Sequence, residues 1–203
     1  MDLLARLHFT GISTRMVMKF MLPDYIQPDL EILFVGINPG TKSSEVGHHY
    51  AGHSNRFWKL LNEAQLVPCP VTYRDDWRLP GWGLGLTNIV ARTTISSGDL
   101  SKADYAAGRT VFVEKVRRYC PRIIALLGIT LYPVVFPREM SSGHRLRHPS
   151  AKAQVGFVPE LLEGARVMVL PNPSGRNAHY SYQEMLERFV VLNRVRKELS
   201  KLG

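Results

Sequence analysis

Three polar loops of this sequence carry residue types that could do chemistry, and the first runs from Gly36 to Ser43 as GINPGTKS. Asn38 directly follows an apolar run and precedes a proline, whose own φ is fixed by its ring. An asparagine amide can orient a water by accepting its hydrogen bond, although it is too weak a base to take the proton fully. A plain turn is the alternative, because Asn, Pro and Gly all favour turns. We predict a functional loop.

The same loop could be taken for a phosphate-binding P-loop, but its spacing differs. The P-loop motif needs adjacent Gly and Lys, whereas Thr41 separates Gly40 from Lys42 in this chain. The spacing therefore argues against a nucleoside triphosphatase, which would release phosphate in the presence of magnesium.

The other two polar loops also adjoin apolar runs. One is LPNPSGRN at 170–177, which follows VMVL, and the other is TNIVARTT at 87–94. Taken singly, the former could be a turn ahead of a helix and the latter a polar strand end. Their significance depends on where the fold places them.

Apolar runs and serine caps predict the elements that position these loops. The predicted strands are Glu31–Ile37, Leu84–Val90, Arg122–Leu127 and Arg166–Leu170, and helices are predicted to begin near Ser54, Ser101, Gly128 and Ser181. This alternation predicts an α/β fold, a three-layer α/β/α arrangement with a central, mostly parallel sheet of about four or five strands. Such sheets bind ligands at the carboxyl ends of their strands, where the polar loops follow.

Composition limits the class of protein. The chain has 203 residues, 45% hydrophobic and 21% charged, which is typical of one globular domain with or without an extension. Its 26 basic and 17 acidic side chains give a formal charge of +9, which favours a polyanionic partner, nucleic acid before anionic membrane. Two cysteines, Cys69 and Cys120, are too few for an all-cysteine zinc or iron–sulfur site and fit a reducing compartment.

Sequence signals for a membrane, for secretion and for a metal are lacking. The apolar runs are far shorter than the roughly 18 residues of a spanning helix, and no apolar segment with a cleavage site opens the chain. His49 and His53 have i, i+4 spacing without an evident third ligand. We expect no membrane association, no metal and no cofactor, in a protein that is not secreted and is cytoplasmic (in the bacterial nucleoid) or nuclear.

Four segments in their order and spacing form a specific pattern: GINPG at 36–40, GHHYAGHSNRFWK at 47–59, GLTNIVARTT at 85–94 and NPSG at 172–175. With them the chain resembles the mismatch-specific uracil/thymine-DNA glycosylase family of the uracil-DNA glycosylase superfamily. The resemblance runs from about Leu22 to the last helix and implies a uracil-DNA glycosylase-like fold. It also implies an N-terminal extension over residues 1–21 and a single catalytic domain over residues 22–203.

The resemblance implies a water-binding group and a base-binding group. In the family the asparagine of GINPG positions the attacking water, so Asn38 takes that role, and Thr94 helps to hold the water. The aromatic residue after GHH stacks on the extruded base, which implies Tyr50, whose backbone amide would also contact the base edge. The implied base-binding group further contains the carbonyl of Ile37, Ser43 beside the pyrimidine 5-position, His49 in the pocket wall, and Asn88.

The resemblance also implies that the NPSG loop enters the duplex and fills the gap left by the extruded base. Arg176 stands after the motif where the bacterial pattern has leucine, and animal members use an arginine slightly further along, so Arg176 is the predicted wedge. The implied DNA-binding residues are Lys42, Asn172, Ser174, Gly175 and Arg176, with Lys42, Ser174 and also Arg92 on backbone phosphates. No Schiff-base lyase step is implied, because the three loops hold no lysine besides Lys42.

The resemblance thus implies a monofunctional DNA repair glycosylase. It would extrude uracil mispaired with guanine and hydrolyse its N-glycosidic bond, leaving an abasic site. Thymine, ethenocytosine and oxidised pyrimidines stay open as further substrates. The expected partner is double-stranded DNA with G:U or G:T mismatches, bound by a monomer. The alternative is a catalytically silent protein that binds mismatched or damaged DNA.

Overall fold

The computed structural model describes residues 22–137 and 155–201, so the extension predicted over residues 1–21 lies outside the described residues. Its strands are β1 Ile32–Gly36, β2 Leu84–Asn88, β3 Ile123–Leu127, β4 Gly156–Leu162 and β5 Ala165–Leu170. They form one sheet in the order β2-β1-β3-β5-β4. All neighbouring pairs are parallel except β4 with β5, which is antiparallel. The predicted mostly parallel sheet is confirmed.

Helices lie between the parallel strands and after the last strand. They are α1 Thr41–Val46, α2 Phe57–Glu63, α3 Lys102–Tyr119, α4 Tyr132–Val135 and α5 Tyr182–Ser200, with 3₁₀ segments at Tyr73–Trp82, Ser97–Asp99 and Ile129–Leu131. Capping boxes begin both long helices, Ser101 with Asp104 for α3 and Ser181 with Glu184 for α5. These two helix starts agree with the prediction.

Helices cover both faces of the sheet, which gives the predicted three layers. Alternate residues of β1 point to opposite faces, since a strand has a side-chain period of two. Ile32 and Phe34 join the apolar cluster that contains Phe57 and Phe189 of α2 and α5. Leu33 and Val35 join the cluster that contains Phe112 and Val116 of α3. Burial on both faces explains why β1 is an unbroken apolar run.

Two local predictions were incomplete. Ser54 does not cap α2, because that helix begins at Phe57, whose N–H is bonded by the Asn55 side chain at 3.0 Å. The strand β4 was not predicted. It is a half-buried edge strand that contains Pro159 and an irregular register, so it lacks the continuous apolar run of the buried strands.

Within residues 22–137 and 155–201, no helix is both long and apolar enough to cross a membrane.

Candidate active site

The three polar loops meet at the carboxyl ends of the strands. Gly36, the last residue of β1, pairs with Asn88, the last residue of β2, and an isolated bridge joins Gly40 to Thr94 beyond them. The loop after β5 lies beside them, since Arg176 Nη1 donates to the carbonyl oxygen of Ile95 at 3.2 Å. The parallel pairing of β1 and β2 thus brings together loops that are about fifty residues apart in sequence.

The amide of Asn38 has a defined orientation. Its Nδ2 donates to Thr94 Oγ1 at 2.7 Å and to the carbonyl oxygen of Arg92 at 3.0 Å. The Thr94 hydroxyl donates its single proton to the carbonyl oxygen of Ser96 at 2.7 Å, so it must act as the acceptor toward Asn38. Asn38 Oδ1 therefore points away from these partners, and no described residue donates to it. The group left available is an acceptor, which can hold a water by its proton.

Tyr50 reaches toward the Asn38 loop, because its hydroxyl lies over Gly36, two residues before Asn38. One face of its ring packs on Phe57, with ring centroids 4.3 Å apart. Its hydroxyl is buried and has no hydrogen-bond partner among the described residues. Burial raises the pKa of this phenol, so it stays protonated at neutral pH and remains a donor.

Gly36 lies directly beneath the side chains of Asn88 and Tyr50. A Cβ placed there would lie 2.3 Å from Asn88 Oδ1 and 3.0 Å from the Tyr50 hydroxyl oxygen. The amide of Asn88 and the hydroxyl of Tyr50 therefore converge over Gly36. A side chain at position 36 would occupy the space that these two groups use. A planar ligand with donors and acceptors along its edge fits such a pair.

Three consecutive backbone N–H groups, those of residues 49 to 51, lie in the turn that carries Tyr50. The N–H of His49 donates to Asp76 Oδ2 at 2.9 Å, and the N–H of Ala51 donates to Ser43 Oγ at 3.1 Å. Between them, the N–H of Tyr50 has no acceptor within the described ranges. The carbonyl oxygen of Ile37 already accepts the N–H of Val90 at 2.9 Å. The hydrogen-bond donor left available for a base edge is therefore the backbone N–H of Tyr50.

His49 lies behind Tyr50, and its side chain is enclosed. The residue is 1% exposed, and its ring centroid is 5.8 Å from that of Tyr50. Its Nε2 lies 2.8 Å from the carbonyl oxygen of Pro23, an acceptor, so Nε2 carries a proton. Burial lowers the pKa of the imidazole, which favours the neutral form. The predicted pocket-wall residue thus supports Tyr50 from behind.

The loop of NPSG is held by its own polar groups. Asn172 Oδ1 accepts the N–H of Ser174 at 2.9 Å, and Ser174 Oγ accepts the N–H of Arg176 at 3.3 Å. Gly175 lies against Ser54, since a Cβ at Gly175 would lie 2.3 Å from Ser54 Cβ. Arg176 itself is exposed. The loop is therefore a rigid turn that presents a long cationic side chain.

Sequence reasoning missed two residues that shape this region. Asp76 holds the turn of Tyr50 from the 3₁₀ segment, and the N–H of Arg56 holds the NPSG loop through the carbonyl oxygen of Pro173 at 2.9 Å. Neither lies in a polar loop after a strand, so no local signal pointed to them. Of the predicted phosphate contacts, Lys42 is exposed and pairs with Glu45 at 3.5 Å, and Arg92 pairs with Asp104 at 2.9 Å.

A metal site is not found in the part of the chain that the structure describes. No group of three or more His, Cys, Asp or Glu side chains there could hold an ion.

Comparisons with known proteins agree on one family. The model of the uracil DNA glycosylase superfamily matches residues 23–194. A G/U mismatch-specific uracil DNA glycosylase of Schizosaccharomyces pombe is 38% identical over 163 residues, covering 79% of this chain and 49% of the relative. This chain therefore spans about half the length of that relative.

A solved structure shares the fold. The solution NMR structure of a candidate uracil DNA glycosylase from Methanosarcina acetivorans aligns with a TM-score of 0.53 at 19% identity. The alignment covers 87% of this chain and 98% of the other. At that identity the likeness concerns the fold alone.

Proposed function

The chain belongs to the uracil DNA glycosylase superfamily, and we propose that it is a monofunctional glycosylase that hydrolyses the N-glycosidic bond of uracil mispaired with guanine in DNA. One observation carries the proposal. The Asn38 amide is fixed by Thr94 and Arg92, no described residue donates to its oxygen, and the Asn88 and Tyr50 side chains converge over Gly36 two residues before it. The 38% identity to a G/U mismatch-specific enzyme supports the choice of substrate.

In the proposed reaction, Asn38 Oδ1 accepts a proton of the attacking water and holds its oxygen toward C1′ of the sugar. The C1′–N1 bond breaks, and its electron pair leaves with the pyrimidine. The water oxygen bonds C1′, and the proton it loses finally neutralises the departed pyrimidine anion. Because an amide is a weak base, orientation of the water supplies more of the rate than proton removal.

The pocket would stabilise the departing base. Tyr50 stacks on the extruded pyrimidine with the ring face opposite Phe57, and the Tyr50 N–H donates to a pyrimidine carbonyl oxygen. Negative charge grows on that oxygen as the bond breaks, so a fixed donor there lowers the barrier. Asn88, Ser43 and the carbonyl oxygen of Ile37 complete the proposed base contacts, since that oxygen accepts the Val90 N–H with one lone pair and has a second for the base.

The proposed DNA partner is a duplex with a G:U or G:T mismatch, bound by a monomer. All three loops of the site come from one chain, and the formal charge of +9 favours a polyanion. Arg176 is the proposed wedge, and Lys42, Asn172, Ser174 and Gly175 are proposed to contact the DNA backbone. The site is built within one sheet, which supports residues 22–203 as a single catalytic domain. Such a substrate places the protein at the genome, in the nucleoid or the nucleus.

An abasic-site assay tests the proposal. A G:U duplex treated with the protein and then with alkali should be cut at the uracil position, with and without EDTA. Asn38→Ala should slow excision at least about 1000-fold and change affinity for an abasic-analogue duplex less than about threefold, because water positioning matters in the transition state alone. Gln65→Ala removes an exposed amide from a groove near the start of β1 and should leave the rate unchanged. Tight mismatch binding without abasic sites would instead identify a silent DNA-binding protein.

A further inference from the structure

Asp76 is a fully buried carboxylate that none of the proposed steps uses. It lies on the 3₁₀ segment Tyr73–Trp82 and is 0% exposed. Its Oδ2 accepts the N–H of His49 at 2.9 Å, and its Oδ1 lies 3.0 Å from His48 Nδ1. Burial, together with the nearby charge of Asp76, raises the pKa of the Tyr25 phenol to about 12. A charge removed from water is tolerated only with such partners.

These bonds hold the peptide between His48 and His49, which directly precedes the peptide that carries the Tyr50 N–H. A peptide unit is planar, so the C=O of His49 and the N–H of Tyr50 turn together. That carbonyl oxygen accepts Trp58 Nε1 at 3.0 Å, while Asp76 holds the N–H on the other side of the same residue. Tyr50 itself has a positive φ of 52°, which a non-glycine residue keeps only where its surroundings impose it.

The result is one free donor between two held ones. The N–H groups of His49 and Ala51 are occupied by Asp76 and Ser43, and the N–H of Tyr50 is left without an acceptor in the described chain. A donor that is held in place before the base arrives needs no reorganisation when charge develops.

We propose that Asp76 is a positioning residue that aims the Tyr50 N–H at the pyrimidine oxygen on which negative charge grows. This inference rests on the proposed function, because it assigns Asp76 to the leaving-group side of that reaction. Asp76 touches neither base nor sugar and acts through His49.

A comparison of two leaving groups tests this role. Single-turnover excision of uracil and of 5-fluorouracil, each opposite guanine, should be measured for the wild type and for Asp76→Ala. Fluorine stabilises the pyrimidine anion, so 5-fluorouracil depends less on help from the protein. We expect Asp76→Ala to slow uracil about 100-fold, at the lower end of the loss of an oxyanion donor, and 5-fluorouracil about tenfold.

Two further variants separate position from charge and from folding. Asp76→Asn should keep most of the activity, because its amide oxygen can still accept the His49 N–H while its nitrogen faces His48, whose ring can present an acceptor. Asp75→Ala is the matched control, since Asp75 bonds Thr72 and Arg78 and not the Tyr50 turn. If Asp76→Ala does not melt cooperatively, Asp76→Ser replaces it in the same comparison.

The outcomes are distinct. An equal loss for both bases would show a merely structural role and overturn the inference, as would an Asp76→Ala enzyme that behaves like Asp75→Ala. In either case a wild type that releases uracil leaves the proposed function standing. A wild type that releases neither base overturns the proposed function and this inference with it.

Discussion

Asn38 and Arg176 donate to carbonyl oxygens of the same loop, yet the two contacts differ in kind. Asn38 is half-buried, and its nitrogen reaches Arg92 O, Thr94 Oγ1 and, at 3.3 Å, Pro39 O. Arg176 is exposed, and among residues 22–137 and 155–201 its side chain makes one hydrogen bond, to the carbonyl oxygen of Ile95 at 3.2 Å. One group is fixed by several partners, whereas the other is held by a single bond that water can replace.

The difference matches the two tasks proposed for them. Water positioning requires a group that does not move, since small displacements from the reacting geometry cost large factors in rate. A wedge must leave its resting contact to enter the duplex, and one exposed hydrogen bond is worth only about 0.5–1.5 kcal/mol net. The proposed catalytic group is therefore held before DNA binds, while the proposed wedge can leave its resting contact on binding.

The largest effect is expected from breaking the fixed side at Thr94. Thr94→Val keeps the shape and removes the hydroxyl that accepts from Asn38 Nδ2 at 2.7 Å. The amide then loses its shortest contact and keeps only the carbonyl oxygens of Arg92 and Pro39, so we expect a roughly 100-fold slower single-turnover excision of uracil with unchanged DNA affinity.

Thr94→Ser is the matched control for this change, because it keeps the hydroxyl and loses only a methyl group. It should retain a rate within about threefold of the wild type. If serine and valine slow the enzyme equally, the hydroxyl has no part in orienting Asn38.

A smaller effect on the excision rate, which depends on the substrate, is expected from substitution of Arg176. Arg176→Ala should slow excision from U:A pairs about tenfold, from U:G pairs less, and from single-stranded uracil not at all, because the cost of unpairing falls in that order. The three substrates should be compared in single-turnover assays with the wild type and the variant.

Arg176→Lys distinguishes a wedge from a phosphate contact, since it keeps the charge and loses the planar guanidinium. If Arg176 only contacts a phosphate, Arg176→Lys should keep the wild-type excision rate. Arg176→Ala should then bind all duplexes more weakly by the same factor, and the salt dependence of its DNA affinity should fall by about one phosphate. A uniform loss on all three substrates would remove Arg176 from the wedge role.

Buried strands were predictable from sequence because burial on both faces forces an apolar run. The cores of β1, β2, β3 and β5 lie within the runs predicted for them. The strand β4 was not predictable in this way, because an edge strand with Glu160 and Pro159 has no such pattern. Its place is set by pairing with β5.

The site shows the same limit. Asn38 and Asn88 could be placed from sequence because Asn38 follows one strand of the parallel sheet and Asn88 ends another. Asp76 could not, because its role depends on a turn 27 residues earlier in the chain and on burial that no local pattern records. Contacts made through tertiary packing have no short-range signature in the sequence.

The smallest effect concerns the buried support of Tyr50 and appears as a pH dependence of stability. Burial lowers the pKa of His49 in the folded protein, while in the unfolded chain it is near 6.5. Below about pH 6.5 the unfolded chain therefore binds a proton that the folded protein does not, so the free energy of unfolding falls as the pH falls, by at most about 1.4 kcal/mol per pH unit. His49→Gln removes this group and can keep a donor to the Pro23 carbonyl oxygen.

Urea unfolding of the wild type and of His49→Gln between pH 7.5 and 5 measures the difference. As the pH falls over that range, the free energy of unfolding of the wild type should decrease by about 1 kcal/mol or more relative to that of His49→Gln. The reason is that the wild type has a buried imidazole that resists protonation, whereas the variant has none. His53→Gln is the matched control, since His53 is exposed four residues further along the same segment and its removal should leave the pH profile unchanged. A constant difference between the wild type and His49→Gln would mean that His49 takes up its proton equally in both states. His49 would then not be held in its neutral form by burial behind Tyr50. The contrast between the fixed region of the site and the exposed Arg176 would rest on Asn38 alone.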